Sequence, residues 1–174
     1  MATVEEVFDI IDKIATQFEE QVVLCMVENK HTMVMAVCEQ LYSGLDGDGD
    51  HLNPNYDNDP FFKEEGFWHN RAEDYQAWKN AITPPMSSSM LGLPPRPDNV
   101  PNLFINGKFY SEIFAERKDM ELNIDVNGSG DGPSIVSKWG NEILNIGITA
   151  IQYFNEEKLI PHLKEFYEQC GYKR

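Results

Sequence analysis

Three aspartates alternate with glycine in Asp46-Gly47-Asp48-Gly49-Asp50, the arrangement with which a calcium loop begins. Acidic oxygens two residues apart on a tight turn can converge on one hard cation. The rest of the segment departs from that pattern. His51 stands where the loop needs glycine, Pro54 where a ninth ligand would fall, and Asp57 where the bidentate glutamate belongs. Two readings therefore stand: a cation site on Asp46, Asp48 and Asp50, or an acidic solvated turn.

Other reactive residue types lack a frame. His31, His51, His69 and His162 show no metal-ligand spacing. Ser87, Ser88 and Ser89 sit in a flexible stretch without the strand-turn-helix setting of a nucleophile elbow. The run Asn127 to Gly132 is glycine-rich, but no Lys-Ser or Lys-Thr follows to make a phosphate loop. Cys25, Cys38 and Cys170 form no CxxC pair. Cys25 and Cys38 fall in apolar helical stretches, where a thiol serves as a small core residue. An odd, unframed set of cysteines points to a reducing compartment. With no nucleophile, base and orienting group at readable spacing, the expectation is a protein without catalysis and without a cofactor.

Aromatic residues are the stronger candidates for contact with a partner. Phe61, Phe62, Trp68, Trp78 and Trp139 are large anchors of the kind that dominate interfaces when the core does not claim them. Phe61 and Phe62 follow Pro60 in a loop, which favours contact over core. Leu91 and Leu93, in a proline-rich connector, join them as interface candidates.

The elements that must position these residues are legible in outline. Thr3 and Glu6 make a capping box at the head of a helix over residues 3–29. Val4, Val7, Phe8, Ile11, Ile14, Phe18, Val22, Cys25 and Met26 recur at helical steps, which predicts a buried stripe. Glu5, Asp9, Asp12, Glu19 and Glu20 give that helix an acidic outer face. A second helix over about 30–43 stops near Gly44. Residues 44–66 are dense in Asp, Asn, Gly and Pro and read as loop. A short helix over 67–81, bringing Trp68, Tyr75 and Trp78 near one another, ends before Pro84-Pro85. A connector of about 84–102 follows. Asn106-Gly107 is the preferred pair for a tight hairpin turn, so strands are expected on both sides of it. Leu122, Ile124 and Val126 alternate as a further strand. Residues 135–140 fit a strand or a short helix. The last segment, 149–170, is helical and interrupted by Pro161.

This pattern predicts a single α+β domain over residues 1–174, with extended loop arms at about 44–66 and 84–102. The N- and C-terminal helices pack on a small, mostly antiparallel sheet drawn from 103–126, with 133–140 as an optional addition. Hydrophobic residues make up 41% of the chain, enough for a packed core. No apolar run reaches membrane-spanning length, and the acidic N-terminus lacks the layout of a secretory signal.

Charge excludes one class of partner. Asp and Glu number 29 against 14 Lys and Arg, a formal net charge of -15. Residues 1–60 hold 13 acids with only Lys13 and Lys30, a net of -11. Phosphate-gripping nucleic-acid binders need clustered cations instead. An acidic surface facing DNA would let it pass without sticking; the plain alternative is that the charge keeps the protein soluble.

The order of segments carries a resemblance. A helical N-terminus leads to the LYSGLDGDGD loop, then to YQAWKNAITPP, PNLFINGKFY, IVSKWG and a closing FNEEKLIPHLKEFY helix. In this order the chain resembles the small neck proteins of tailed bacteriophages, of the type found in phages and prophages of Bacteroidetes hosts. The matching positions are Leu103, Ile105, Gly107, Phe109 and Tyr110, then Lys138, Gly140, Ile143 and Gly147, then Leu159 and Pro161. Trp139 stands where that family has tyrosine.

The resemblance implies a structural virion protein, assembled in the host cytoplasm. Copies would form a homo-oligomeric ring between portal and tail, in contact with the portal and other neck or tail proteins. The ring would enclose the channel through which DNA leaves, and the acidic face would keep that DNA mobile. A different reading of the same acidity is a small inhibitor that mimics DNA and acts on a basic partner.

Overall fold

A computed structural model describes residues 3–172. Thr3 caps the first helix, α1 (Val4–Glu28), with both bonds of the capping box in place. Asn29 breaks it: its amide nitrogen Nδ2 donates to the Cys25 carbonyl at 2.9 Å. The second helix, α2 (Lys30–Tyr42), follows directly and ends at Gly44, whose φ of +71° suits glycine. A side chain there would also strike Val100. The third helix, α3 (Ala72–Ile82), stops before the double proline.

The hairpin lies elsewhere than the Asn-Gly signal predicts. Gly107, at φ +79°, leads into a short helix, α4 (Lys108–Glu112), and the Asn106 side chain accepts from the Lys108 amide at 3.0 Å. Leu103 at φ +54° breaks any strand before it. Phe109 and Ile113, four residues apart, both reach the core, which suits a helical turn and not an alternating strand. The strands are β1 (Ile113–Lys118) and β2 (Glu121–Val126), antiparallel, with Ile113 opposite Val126 and Lys118 opposite Glu121. Their turn is at Asp119-Met120, where Asp119 takes a φ of +55°. Residues 133–140 add no strand; they belong to α5 (Gly132–Trp139), which Gly140 ends at φ +89°. The fold is α+β, with long N- and C-terminal helices and a two-stranded antiparallel sheet.

The main core joins Val37 and Leu41 of α2 to Phe109, Ile113, Ile143 and Leu144. It also takes Leu52 and Val100, one from each loop that the sequence suggests as an arm. Both loops therefore lie against the body of the chain. Tyr56, Phe62, Leu91 and Arg96 are buried as well. The connector is fastened by Glu39 of α2, whose carboxylate accepts from Ser89 Oγ and from the Met90 and Leu91 amides at 2.9–3.1 Å. Gln40 is buried beside it. Its side chain donates to the Asn145 carbonyl at 3.1 Å and accepts from the Gly147 amide at 2.8 Å.

The closing helix runs through Pro161 without ending. Helix α6 (Ile148–Phe154) passes through one π turn (Asn155–Leu159) into α7 (Ile160–Gln169). A proline ring crowds the preceding turn and lacks the amide that would bond there. A wider turn placed just before it relieves that crowding.

Candidate interaction surface

The outer half of α1 does not bury its apolar stripe. Val4, Phe8 and Ile11 are 74%, 66% and 55% exposed, and burial begins only at Val23 and Cys25. At about 100° per residue, Val4, Phe8, Ile11, Ala15, Phe18, Val22 and Met26 fall on one face. That face is a track about 33 Å long at 1.5 Å per residue. It runs into a cavity of about 220 Å³ between α1, α2 and α6, lined by Val22, Met26, Met33, Ala150, Ile151 and Phe154. The buried stripe expected from periodicity thus holds only for the inner half of the helix.

One side of α1 is already covered. Ile10 lies against Gly171 and Gln21 Oε1 accepts from His162 Nε2 at 3.1 Å, so α7 occupies that flank. Glu20 points to the hairpin, where Arg117 grips it through two bonds of 2.9 and 3.0 Å. The guanidinium holds the Glu20 carboxyl below its ordinary value. Glu5, Asp12 and Glu19, seven residues apart, line the open edge of the track. They are exposed and make no ion pair among the described residues. Asp9 is exposed on the back of the helix.

The aromatic candidates gather on a second surface. Phe61, Phe62, Trp68 and Trp78 all pack around Tyr75 or each other, with ring centroids 5.1–6.3 Å apart. Phe61 and Trp78 remain exposed and Trp68 is half-buried, whereas Phe62 is buried in this chain. Asp59 caps the turn Pro60–Lys63 by accepting from the Phe61 amide, and it pairs with Lys138 at 2.6 Å. The Lys138 ammonium lies 4.3 Å from the Trp139 ring centre, which brings Trp139 to the same cluster. A cavity of about 230 Å³ separates Phe61 and Tyr75 from Ile135 and Trp139. Leu91 and Leu93 are elsewhere: Leu91 is buried and Leu93 half-buried, packed near Ala36 and Ala150.

Asp46 faces its own turn. Its Oδ1 accepts from the Asp48 and Asp50 amides, both at 3.0 Å. Asp48 and Asp50 are exposed, and no group of three or more metal-ligating side chains occurs among the described residues. The turn sits on Asn145, which a side chain on Gly47 would strike.

Sequence reasoning did not single out a buried cationic pair behind the aromatic cluster. Lys79 of α3 donates to Thr83 Oγ1 at 2.9 Å, to Asn102 Oδ1 at 2.6 Å and to the Phe104 carbonyl. Arg96 donates to the Val100 and Thr83 carbonyls at 3.1 and 2.7 Å. Neither has a carboxylate partner among the described residues. Burial, reinforced by Arg96, pulls Lys79 down to about 7. Its three oxygen partners offset part of that penalty and tie α3 to residues 102–104. The thiols are quiet: burial pushes Cys38 up to about 11 and raises Cys25. No helix among the described residues is long and apolar enough to cross a membrane. No protein-family model matches the chain, and no curated protein or solved structure matches it either.

Proposed function

We propose that this chain is a structural assembly protein of a tailed-phage virion, acting without catalysis in an oligomeric ring of the neck between portal and tail. The observation that supports an assembly role best is the outer half of α1, a surface left for a different chain of the assembly, while the ring itself rests on the resemblance in segment order. A folded domain leaves a 25-residue helix with its apolar face open over the first four turns. Monomeric proteins seldom expose such contiguous apolar surface unless a partner covers it. The resemblance of its segment order to that of phage neck proteins supplies the setting. The acidic N-terminal region would support the DNA channel by repelling the duplex.

Light scattering on the purified protein, alone and with portal and neck components, tests the proposal. A ring, or assembly that appears only with the portal, is the expected result. A stable monomer that ignores the portal and captures a basic DNA-binding protein would favour the DNA-mimic reading instead.

A further inference from the structure

We infer that the open track of α1 is a docking site for a basic amphipathic helix of another chain, which lays its apolar face along Phe8 and Ile11 and its Lys or Arg residues along Glu5, Asp12 and Glu19. This goes beyond the neck reading, and its test uses no virion component.

Shape and charge both support this occupant. Helix-in-groove recognition needs an apolar strip a few turns long and a pocket for an anchor. The track supplies the strip, and the cavity at Val22 and Met26 supplies the pocket. The three open-edge carboxylates repeat at one heptad, so a helix docked lengthwise meets each of them with one residue of its own heptad. Lys or Arg at those positions gains an ion pair at every step along the edge. A neutral or acidic helix leaves the carboxylates unpaired or repelled.

A second copy of this chain fits the same face poorly. Laid antiparallel, two α1 helices set acidic edge against acidic edge. Laid parallel, the acidic edge of one meets the flank of the other that α7 already covers through Ile10 and Gln21. Like charges at such spacing oppose association. Contacts between copies of this chain therefore fall on other surfaces.

The probe is a synthetic three-heptad helix with leucine on one face and lysine along one edge, titrated by calorimetry into the intact protein. Two controls keep its composition or length: one moves the lysines to the back of the helix, and one replaces them with glutamine. Saturable binding of the edge-lysine peptide is expected, about tenfold tighter than either control and weaker at high salt. The triple variant Glu5→Gln, Asp12→Asn, Glu19→Gln is expected to erase that preference, and Phe8→Ser with Ile11→Ser to abolish binding. Both variants alter exposed residues, so unchanged circular dichroism confirms the fold. Equal binding of the back-lysine peptide overturns the inference, because overall charge alone then attracts the probe. Absence of binding overturns it. So does an α1-mediated dimer that Phe8→Ser converts to monomer, since a second copy then owns the track.

Discussion

The Lys79 ammonium donates to Asn102 Oδ1 at 2.6 Å, joining α3 to the chain that leads into α4 across 23 residues of sequence. No carboxylate shares the site among the described residues. Burial lowers the lysine to about 7, while the unfolded chain keeps that proton to about 10.4. The unfolded state thus binds more protons above pH 7, and stability rises with pH there. Cys38, held up to about 11, and the raised phenols of Tyr56 and Tyr110 act oppositely above about pH 9. Urea midpoints are expected to climb from pH 7 to 9 and then turn. In Lys79→Met the climb should vanish; its persistence would place the titration elsewhere.

Glu39 holds the connector through three donors on residues 89–91. Charge-assisted bonds of this kind contribute about 1–3 kcal/mol each when their partner is lost. Glu39→Ala is expected to cost about 2 kcal/mol in total, because water replaces part of the loss at this half-exposed site. Hydrogen exchange should show the Met90 and Leu91 amides exposed well before the α2 core. Protection unchanged at those amides would mean that Leu91 packing alone secures the connector.

At Asp46 the two roles of the aspartate separate by substitution. Asparagine retains the oxygen that accepts from Asp48 and Asp50, and alanine removes it. Asp46→Ala should lower stability by about 1 kcal/mol and Asp46→Asn by much less. Melting curves in millimolar calcium and in chelator are expected to superimpose. A calcium-dependent shift that Asp46→Asn abolishes would establish the cation site.

Two isoleucines give opposite outcomes. Ile143 is fully buried in the main core, so Ile143→Ala is expected to cost about 2–5 kcal/mol. Ile11 is 55% exposed, and Ile11→Ala should stay within about 0.5 kcal/mol. Chemical denaturation of the isolated protein measures both. A large loss from Ile11→Ala would show that the outer half of α1 is covered in the isolated chain.

Periodicity revealed the helices because it is local: Thr3 and Glu6 start α1, Gly44 follows α2, and the prolines after α3 set its end. It could not reveal what covers a stripe. Val4 and Val22 look alike in sequence, yet one is open and the other lines a cavity. Asn106-Gly107 misled because its left-handed glycine serves a helix start as well as a hairpin. The clustering of Phe61, Trp68 and Trp78 around Tyr75 was partly visible through the spacing of 68, 75 and 78. The reach of Lys138 to Asp59, 79 residues apart, was not. Lys79 and Arg96 carry no local sign of burial, because only tertiary contacts enclose them. Glu39 gave no local sign, since its partners lie some 50 residues away.

The π turn in the closing helix also sets a phase. Phe154 and Phe166 are both buried, yet twelve residues of regular helix would rotate one about 120° from the other. One extra residue in the wide turn takes back about 100°. The two rings thereby return to the same side. Removing a single residue between Asn155 and Leu159 would therefore do more than shorten the helix. It would swing everything beyond Pro161, including the wall that α7 offers to α1, by more than a quarter of a revolution.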